Sequence, residues 1–389
     1  MDLRATLGLT LLASGCVERT LDQRICRDGY LERDEICFAE ATLPLRPAFM
    51  PLALRVADFD ADEHFDILVL GTDATGTVVS DLLRGDGEGG FAAFEDAGVT
   101  GCSAHPVPGD IDGDGATDLL VDDCGPTVSL FFGGPEGFSG PVTVATGAAT
   151  RTSGLLDIDG DARADVIILG SDDALQATLN VARGDGEGDF SPPQASPMPA
   201  PAPAFEPGGF GIGDLDEDGE LDALLVDPAP TGGYALARGL GAGAFADPVP
   251  VLADAPPGGA WVRDVDGDAH LDVLIHSADP PQLLFARGDG SGTFVIEAIT
   301  ELSAAPRITA ALGDLDEDGD LDVLFVYAGQ TTVETWLGDD DGTFTGPAPI
   351  DVGGEALQIE LVDLDEDGAR DLVVGTFSDG GIRLVLARP

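Results

Sequence analysis

Short apolar runs recur along the chain, each set off by Gly, Pro or Asp. Asp66-Ile-Leu-Val-Leu70, Asp272-Val-Leu-Ile275 and Asp322-Val-Leu-Phe-Val326 are typical. Runs this short, bounded by turn residues, read as buried β-strands rather than helices. The 54 Gly and 27 Pro, with few aromatics, fit many short strands joined by tight turns. No apolar stretch reaches the ~18 residues of a membrane span.

The polar positions between the runs are not random. One nonapeptide, Asp-x-Asp-x-Asp-Gly-x-x-Asp, recurs seven times, at intervals of 47 to 57 residues. Its aspartates are Asp58, Asp60, Asp62 and Asp66 in the first copy and Asp110, Asp112, Asp114 and Asp118 in the second. They are Asp157, Asp159, Asp161 and Asp165 in the third and Asp214, Asp216, Asp218 and Asp222 in the fourth. The fifth has Asp264, Asp266, Asp268 and Asp272, and the sixth Asp314, Asp316, Asp318 and Asp322. The last has Asp363, Asp365, Asp367 and Asp371. Position two is always apolar, from Phe59 to Leu364.

Four carboxylates in one tight loop repel each other unless a cation joins them. Calcium suits the loop, because it accepts six to eight oxygens at ~2.3–2.6 Å in adaptable geometry. We therefore expect all 28 aspartates to be calcium ligands, for up to seven Ca2+. Position six favours Gly for the turn, and Gly115, Gly219, Gly319 and Gly368 supply it. The strongest sites are expected in those loops, which start at Asp110, Asp214, Asp314 and Asp363. Glu63, Ala162 and Ala269 replace the glycine elsewhere, and weaker or distorted sites are expected there. An EF-hand starts the same way but needs Glu at position twelve and flanking helices. Position twelve here is always apolar, from Val69 to Val374, and the flanks read as strands. Each loop is thus the tip of a β-hairpin.

A second motif accompanies the first: a Gly-rich turn ending in Phe, as in Arg84-Gly-Asp-Gly-Glu-Gly-Gly-Phe91 and Arg183-Gly-Asp-Gly-Glu-Gly-Asp-Phe190. Phe38 stands at the same distance before the first acidic loop, without a preceding unit. The chain stops at Leu386-Ala-Arg-Pro389, where the last unit's turn would begin. A spare N-terminal strand paired with the incomplete last unit would close a ring and leave no edge.

Together these motifs resemble the FG-GAP/VCBS repeats of calcium-binding β-propellers, which are related to the integrin α-subunit propeller. The resemblance covers residues 38–389. It implies an all-β, seven-bladed β-propeller of four-stranded antiparallel blades. It also implies calcium ligation by the aspartates above, with all seven loops on one face. The arithmetic agrees, because about 50 residues per unit is the size of a four-stranded blade.

Composition narrows the function. The formal charge is −54, from 72 acidic and 18 basic residues, and every basic residue is Arg. Without Lys there is no P-loop and no Schiff-base or pyridoxal chemistry. Without a basic footprint there is no expectation of nucleic-acid binding. Seven Ca2+ would bring the charge to about −40, so metal should also relieve self-repulsion.

The N-terminus, ending in Leu12-Ala-Ser-Gly-Cys16, resembles a bacterial lipoprotein signal. Residues 1–15 would then be removed and Cys16 lipidated, with 16–37 as a tether and 38–389 as the propeller. Val17 gives no Asp-type retention signal, so the outer membrane or cell surface is expected. The membrane contact would be the lipid alone, and the protein a monomer. The remaining four cysteines fit two disulfides, Cys26–Cys37 and Cys102–Cys124.

No catalytic motif appears: there is no His-Glu-x-x-His helix and no Gly-x-Ser-x-Gly elbow. The three Arg-Gly-Asp tripeptides, at Arg84, Arg183 and Arg287, lie in the repeat turn and read as turn chemistry. A ligand face is expected opposite the acidic loops, where connections vary most, with Tyr234, Trp261 and His276 as stacking candidates. The expected role is cell-surface binding or adhesion to a glycan or protein, without catalysis. The alternative is a calcium-dependent polysaccharide lyase.

Overall fold

The computed structural model describes residues 39–387, apart from 47–48, 102–105, 148, 172–175, 202–209, 227–232, 307–309 and 377–380. It forms seven four-stranded antiparallel sheets, and the described residues contain no helix. The strands of blades one to six lie in 50–96, 107–145, 149–201, 210–250, 258–301 and 310–351. Blade seven combines the three strands within 356–386 with β1 (Ala39–Pro44). β1 pairs antiparallel with β28 (Gly381–Leu386), Ala39 facing Leu386 and Pro44 facing Gly381. This is the all-β, seven-bladed propeller that the repeats predict.

The second strand of each blade explains the architecture. β3 (Asp66–Thr72) is buried along nearly its whole length, so both of its faces need a partner. Alternation supplies two. Ile67 and Val69 pack in a cluster with Val362, Val373 and Leu384 of blade seven. Leu68 and Leu70 pack with Leu119, Val121 and Phe131 of blade two. Seven such clusters fill the junctions between successive blades around the ring. A buried Leu or Ile side chain contributes about 1.5–3 kcal/mol, so these junctions hold the ring together. No blade could bury both faces alone.

The junction of blades one and seven carries polar ties as well. The Leu54 N–H donates to Gln358 Oε1 at 2.8 Å, inside the buried interface. Arg55 pairs with Glu360 at 3.0 Å and also donates to the Pro106 carbonyl of blade two at 2.7 Å. Burial pushes the Glu360 carboxyl up, against the pull of Arg55.

Candidate metal centres and ligand face

Each acidic loop joins the first strand of a blade to the second, at one common end of the blades. Position nine opens the second strand and is fully buried in all seven copies. Its carboxylate is a staple. Asp66 Oδ2 accepts the Phe59 N–H at 3.1 Å, and Oδ1 accepts the Gly85 N–H at 2.9 Å. The first bond closes the loop and the second ties it to the end of the third strand. The same pair recurs at Asp118, Asp165 and Asp222. It recurs again at Asp272, Asp322 and Asp371. The apolar residue at position two is thus the donor that the staple needs. Burial pushes Asp66 and Asp118 up to about 6, and Asp322 and Asp371 up to about 7, although these backbone bonds pull the other way.

Positions one and five shape the loop. Asp58 accepts the N–H groups of Asp62 and Glu63, at 3.2 and 2.9 Å. Asp62 accepts that of His64 at 3.0 Å. Equivalent bonds order the other loops, for example at Asp214, Asp218, Asp363 and Asp367. The backbone is left-handed at position six in every copy, glycine or not: Glu63 has φ 71°, Ala162 66° and Ala269 73°. The three loops without Gly keep the left-handed turn, at φ 66–73° against 93–98° in the four glycine loops. Position four is left-handed too, at Ala61, Glu217, Glu317 and Glu366 as well as at three glycines. No residue type signals this, because most copies have a side chain there.

Position three is different. The Oδ1 atoms of Asp60, Asp159, Asp216 and Asp316 are buried without a hydrogen-bond partner. A buried carboxylate oxygen left this way is costly unless something charged meets it. Around it lie the other loop carboxylates. Oxygens of Asp58, Asp60 and Asp62 lie within 4.8 Å of one another, as do those of Asp110, Asp112 and Asp118. Asp157–Asp159–Asp165, Asp214–Asp216–Asp218 and Asp264–Asp266–Asp272 do the same. These clusters can hold metal ions. An all-oxygen, all-carboxylate set fits a hard divalent cation and not a soft one.

The sequence reading missed the partners of position three. Arg84 pairs with Asp60, Arg183 with Asp159 at 3.4 Å, Arg238 with Asp216, and Arg287 with Asp266. Each Arg immediately precedes the glycine that donates to the position-nine staple. In blades two, six and seven that place is held by Phe132, Leu337 and Leu386. The Arg-Gly-Asp tripeptides are thereby accounted for. Arg84 serves the acidic loop, and a Cβ on Gly85 would lie 2.1 Å from the Phe65 carbonyl oxygen. Asp86 accepts the N–H groups of Glu88 and Gly90, at 2.9 and 2.8 Å, within its own turn.

Position seven also does more than expected. His64 Nδ1 lies 2.8 Å from Glu366 Oε1 of the neighbouring loop. His270 makes the same bridge to Glu217. In both cases the Glu is at position four of the preceding blade, and its carboxylate holds the imidazole above its usual range.

The three stacking candidates do not gather at a surface. Tyr234 is fully buried between blades four and five, and its hydroxyl donates to the Gly258 carbonyl at 3.0 Å. It is a core residue, because strand alternation turns it toward the next blade. His276 is buried, and burial holds it down at about 4, so it is neutral. Trp261 stacks on it, with centroids 4.7 Å apart. Cys124 lies in the turn after the second strand of blade two, whereas Cys16, Cys26, Cys37 and Cys102 lie outside the described residues.

The FG-GAP-like repeat profile matches residues 157–225, 264–325 and 314–374. No curated protein matches the chain. Among solved structures, the chain resembles an Agrocybe aegerita lectin described as recognising non-reducing terminal N-acetylglucosamine. The two are 18% identical with a TM-score of 0.55, over 76% of this chain and 79% of that one. It also resembles a rhamnogalacturonan lyase of Bacillus licheniformis, at 12% identity and TM-score 0.51, over 92% of this chain and 81% of the lyase. At these identities the likeness is one of fold.

Proposed function

We propose that this propeller of FG-GAP-like repeats is a calcium-stabilised binding module of the cell envelope, and that its ligand is a surface glycan. The observation that carries the calcium reading is the buried, unpartnered Oδ1 at position three, repeated in Asp60, Asp159, Asp216 and Asp316. Calcium supplies the missing partner there, and positions one, five and nine surround it with further oxygens. Calcium is structural in this reading: it neutralises the loops and locks the first two strands of each blade together.

Carbohydrate is the ligand class favoured by the likeness to a lectin and to a polysaccharide lyase on the same fold. Binding is favoured over lyase chemistry by how the polar groups are used. A lyase needs a base and cationic side chains converging on a cleft. Arg84, Arg183, Arg238 and Arg287 are spent on the acidic loops, Tyr234 on a backbone carbonyl, and His276 on Trp261. Export as a lipoprotein through Cys16, and the disulfides Cys26–Cys37 and Cys102–Cys124, complete the proposal on sequence grounds.

The test is a screen of residues 17–389 against bacterial and plant polysaccharides, in calcium and in EDTA, with ultraviolet absorbance read in the same wells. Calcium-dependent retention without unsaturated product is the expected result. Unsaturated product would replace the binding reading by the lyase. Silence throughout would move the ligand to a protein.

A further inference from the structure

One side chain divides the acidic loops into two sets: the residue before the glycine that donates to the position-nine staple. Arg84, Arg183, Arg238 and Arg287 hold that place in blades one, three, four and five. The third strand of each blade brings the guanidinium to one oxygen of the position-three carboxylate, at Asp60, Asp159, Asp216 and Asp266. Those carboxylates are 15% exposed or less, so little water screens the pairs. The other oxygen of Asp60, Asp159 and Asp216 stays buried without a partner, so these loops keep a place for a metal. In blades two and six the same place holds Phe132 and Leu337. Phe132 packs into the junction with blade three, where a Cβ on Gly188 would lie 2.8 Å from its ring. Among the described residues no cationic side chain pairs with Asp112 or Asp316. Blades one to six thus fall into two sets.

The charge offered to a cation differs accordingly. Positions one, three, five and nine supply four carboxylates in every loop. In blades one, three, four and five a guanidinium already meets one of those four charges. Calcium affinity follows the charge count of the ligand set. A fixed positive charge beside the set also repels the ion at short range. We propose that this residue grades the calcium sites. The loops beginning Asp58, Asp157, Asp214 and Asp264 are the weaker set, and those beginning Asp110 and Asp314 the tighter one. The inference rests on the calcium reading and adds an order among its sites. The Asp214 loop separates this grading from one set by glycine at position six. Gly219 marks that loop as strong, whereas Arg238 marks it as weak. The loops with Glu63, Ala162 and Ala269 lack the glycine and have the Arg, so they do not separate the two. Arg238 is also the cleanest case. Arg84 shares its charge with Glu95 and Arg287 with Glu297, whereas Arg238 meets only Asp216 and the Ser291 carbonyl among the described residues, the latter at 2.9 Å.

The experiment is equilibrium dialysis of chelator-stripped residues 17–389 against buffered free calcium, with bound calcium counted by atomic absorption. Binding should rise in two steps, separated by about tenfold or more in free calcium. Arg238→Leu should move one ion from the later step to the earlier one. Leu337→Arg gives blade six the residue that blade four already accommodates, and it should move one ion the other way. Arg238→Lys keeps the charge and should leave its ion in the later step. Should Arg238→Leu fail to fold, Leu337→Arg decides. A single step for all the bound ions would overturn the grading. So would steps that neither Arg238→Leu nor Leu337→Arg changes. Either of those results leaves calcium binding itself standing, whereas no bound calcium at millimolar free calcium removes the calcium reading and the grading with it.

Discussion

Arg183 lies 3.4 Å from Asp159, although 24 residues separate them along the chain. The Arg directly follows the third strand of its blade, and the Asp sits at position three of the acidic loop. The same relation links Arg84 to Asp60, where the Arg side chain is only 22% exposed and also meets Glu95 at 2.8 Å. A positive group thus holds one oxygen of a carboxylate whose other oxygen is buried without a hydrogen-bond partner.

Replacing Arg84 by Ala should therefore weaken the fold and leave cell adhesion alone. We predict a loss of about 1 kcal/mol in equilibrium unfolding in calcium, in the range of a partly buried, charge-assisted pair. An Arg-Gly-Asp peptide should not compete with the protein for cells. Competition by that peptide would show that the tripeptide is a recognition signal after all.

The position-nine staple should be less tolerant. Asp322 uses one oxygen for Leu315 and the other for Gly338, both inside the protein. Asn has a single acceptor oxygen, so Asp322→Asn leaves one buried N–H facing an amide N–H2. The expected cost is about 1–3 kcal/mol, read by urea unfolding. Asp340→Asn, at an exposed turn position, should stay within about 0.5 kcal/mol. Equal effects at the two positions would remove the staple from the account.

The acidic loops were legible in the sequence because their chemistry is written in consecutive residues. Asp at fixed offsets, an apolar position two and an apolar position twelve were enough to reject an EF-hand and predict a hairpin tip. Relations that cross strands were not legible. Nothing near Arg84 announces Asp60, because the contact depends on the third strand returning beside the loop. The left-handed backbone at Glu217, Glu317 and Glu366 was hidden for another reason: a residue can adopt that conformation at modest cost when hydrogen bonds around it compensate. Tyr234 was misplaced because loop lengths suggested a rim, whereas strand alternation points it at blade five.

Acidity should act in opposite directions on the metal-free and metal-loaded protein. In the metal-free fold Asp322 and Asp371 ionise near 7, and Asp66 and Asp118 near 6, against about 4 in the unfolded chain. A raised folded value means that the folded state holds its protons more tightly. That contribution is complete below about pH 4 and is lost as pH rises through about 6 to 7. Metal-free protein should thus melt higher at pH 5 than at pH 8. Calcium needs the ionised carboxylates, so its stabilising increment should grow over the same interval. Melting curves of dialysed and calcium-loaded protein at both pH values check this, and a parallel pH response in the two samples would contradict it.

The junction of blades one and seven offers a further test of ring closure. Gln358 is 5% exposed and accepts the Leu54 N–H at 2.8 Å. Gln358→Leu keeps the bulk and removes the acceptor, so one buried N–H loses its partner. Unfolding should be easier by about 1–3 kcal/mol. An unchanged midpoint would mean that the apolar cluster alone holds this junction.

The central claim is that calcium is part of the fold, and thermal unfolding with and without a chelator tests it most directly. At calcium a hundredfold above its dissociation constant, each bound ion stabilises by about 2.7 kcal/mol. Several ions together should raise the melting temperature by more than about 10 °C. The account predicts a fall of that size in EDTA, reversed by added calcium. A melting temperature that is the same in calcium and in EDTA would contradict it.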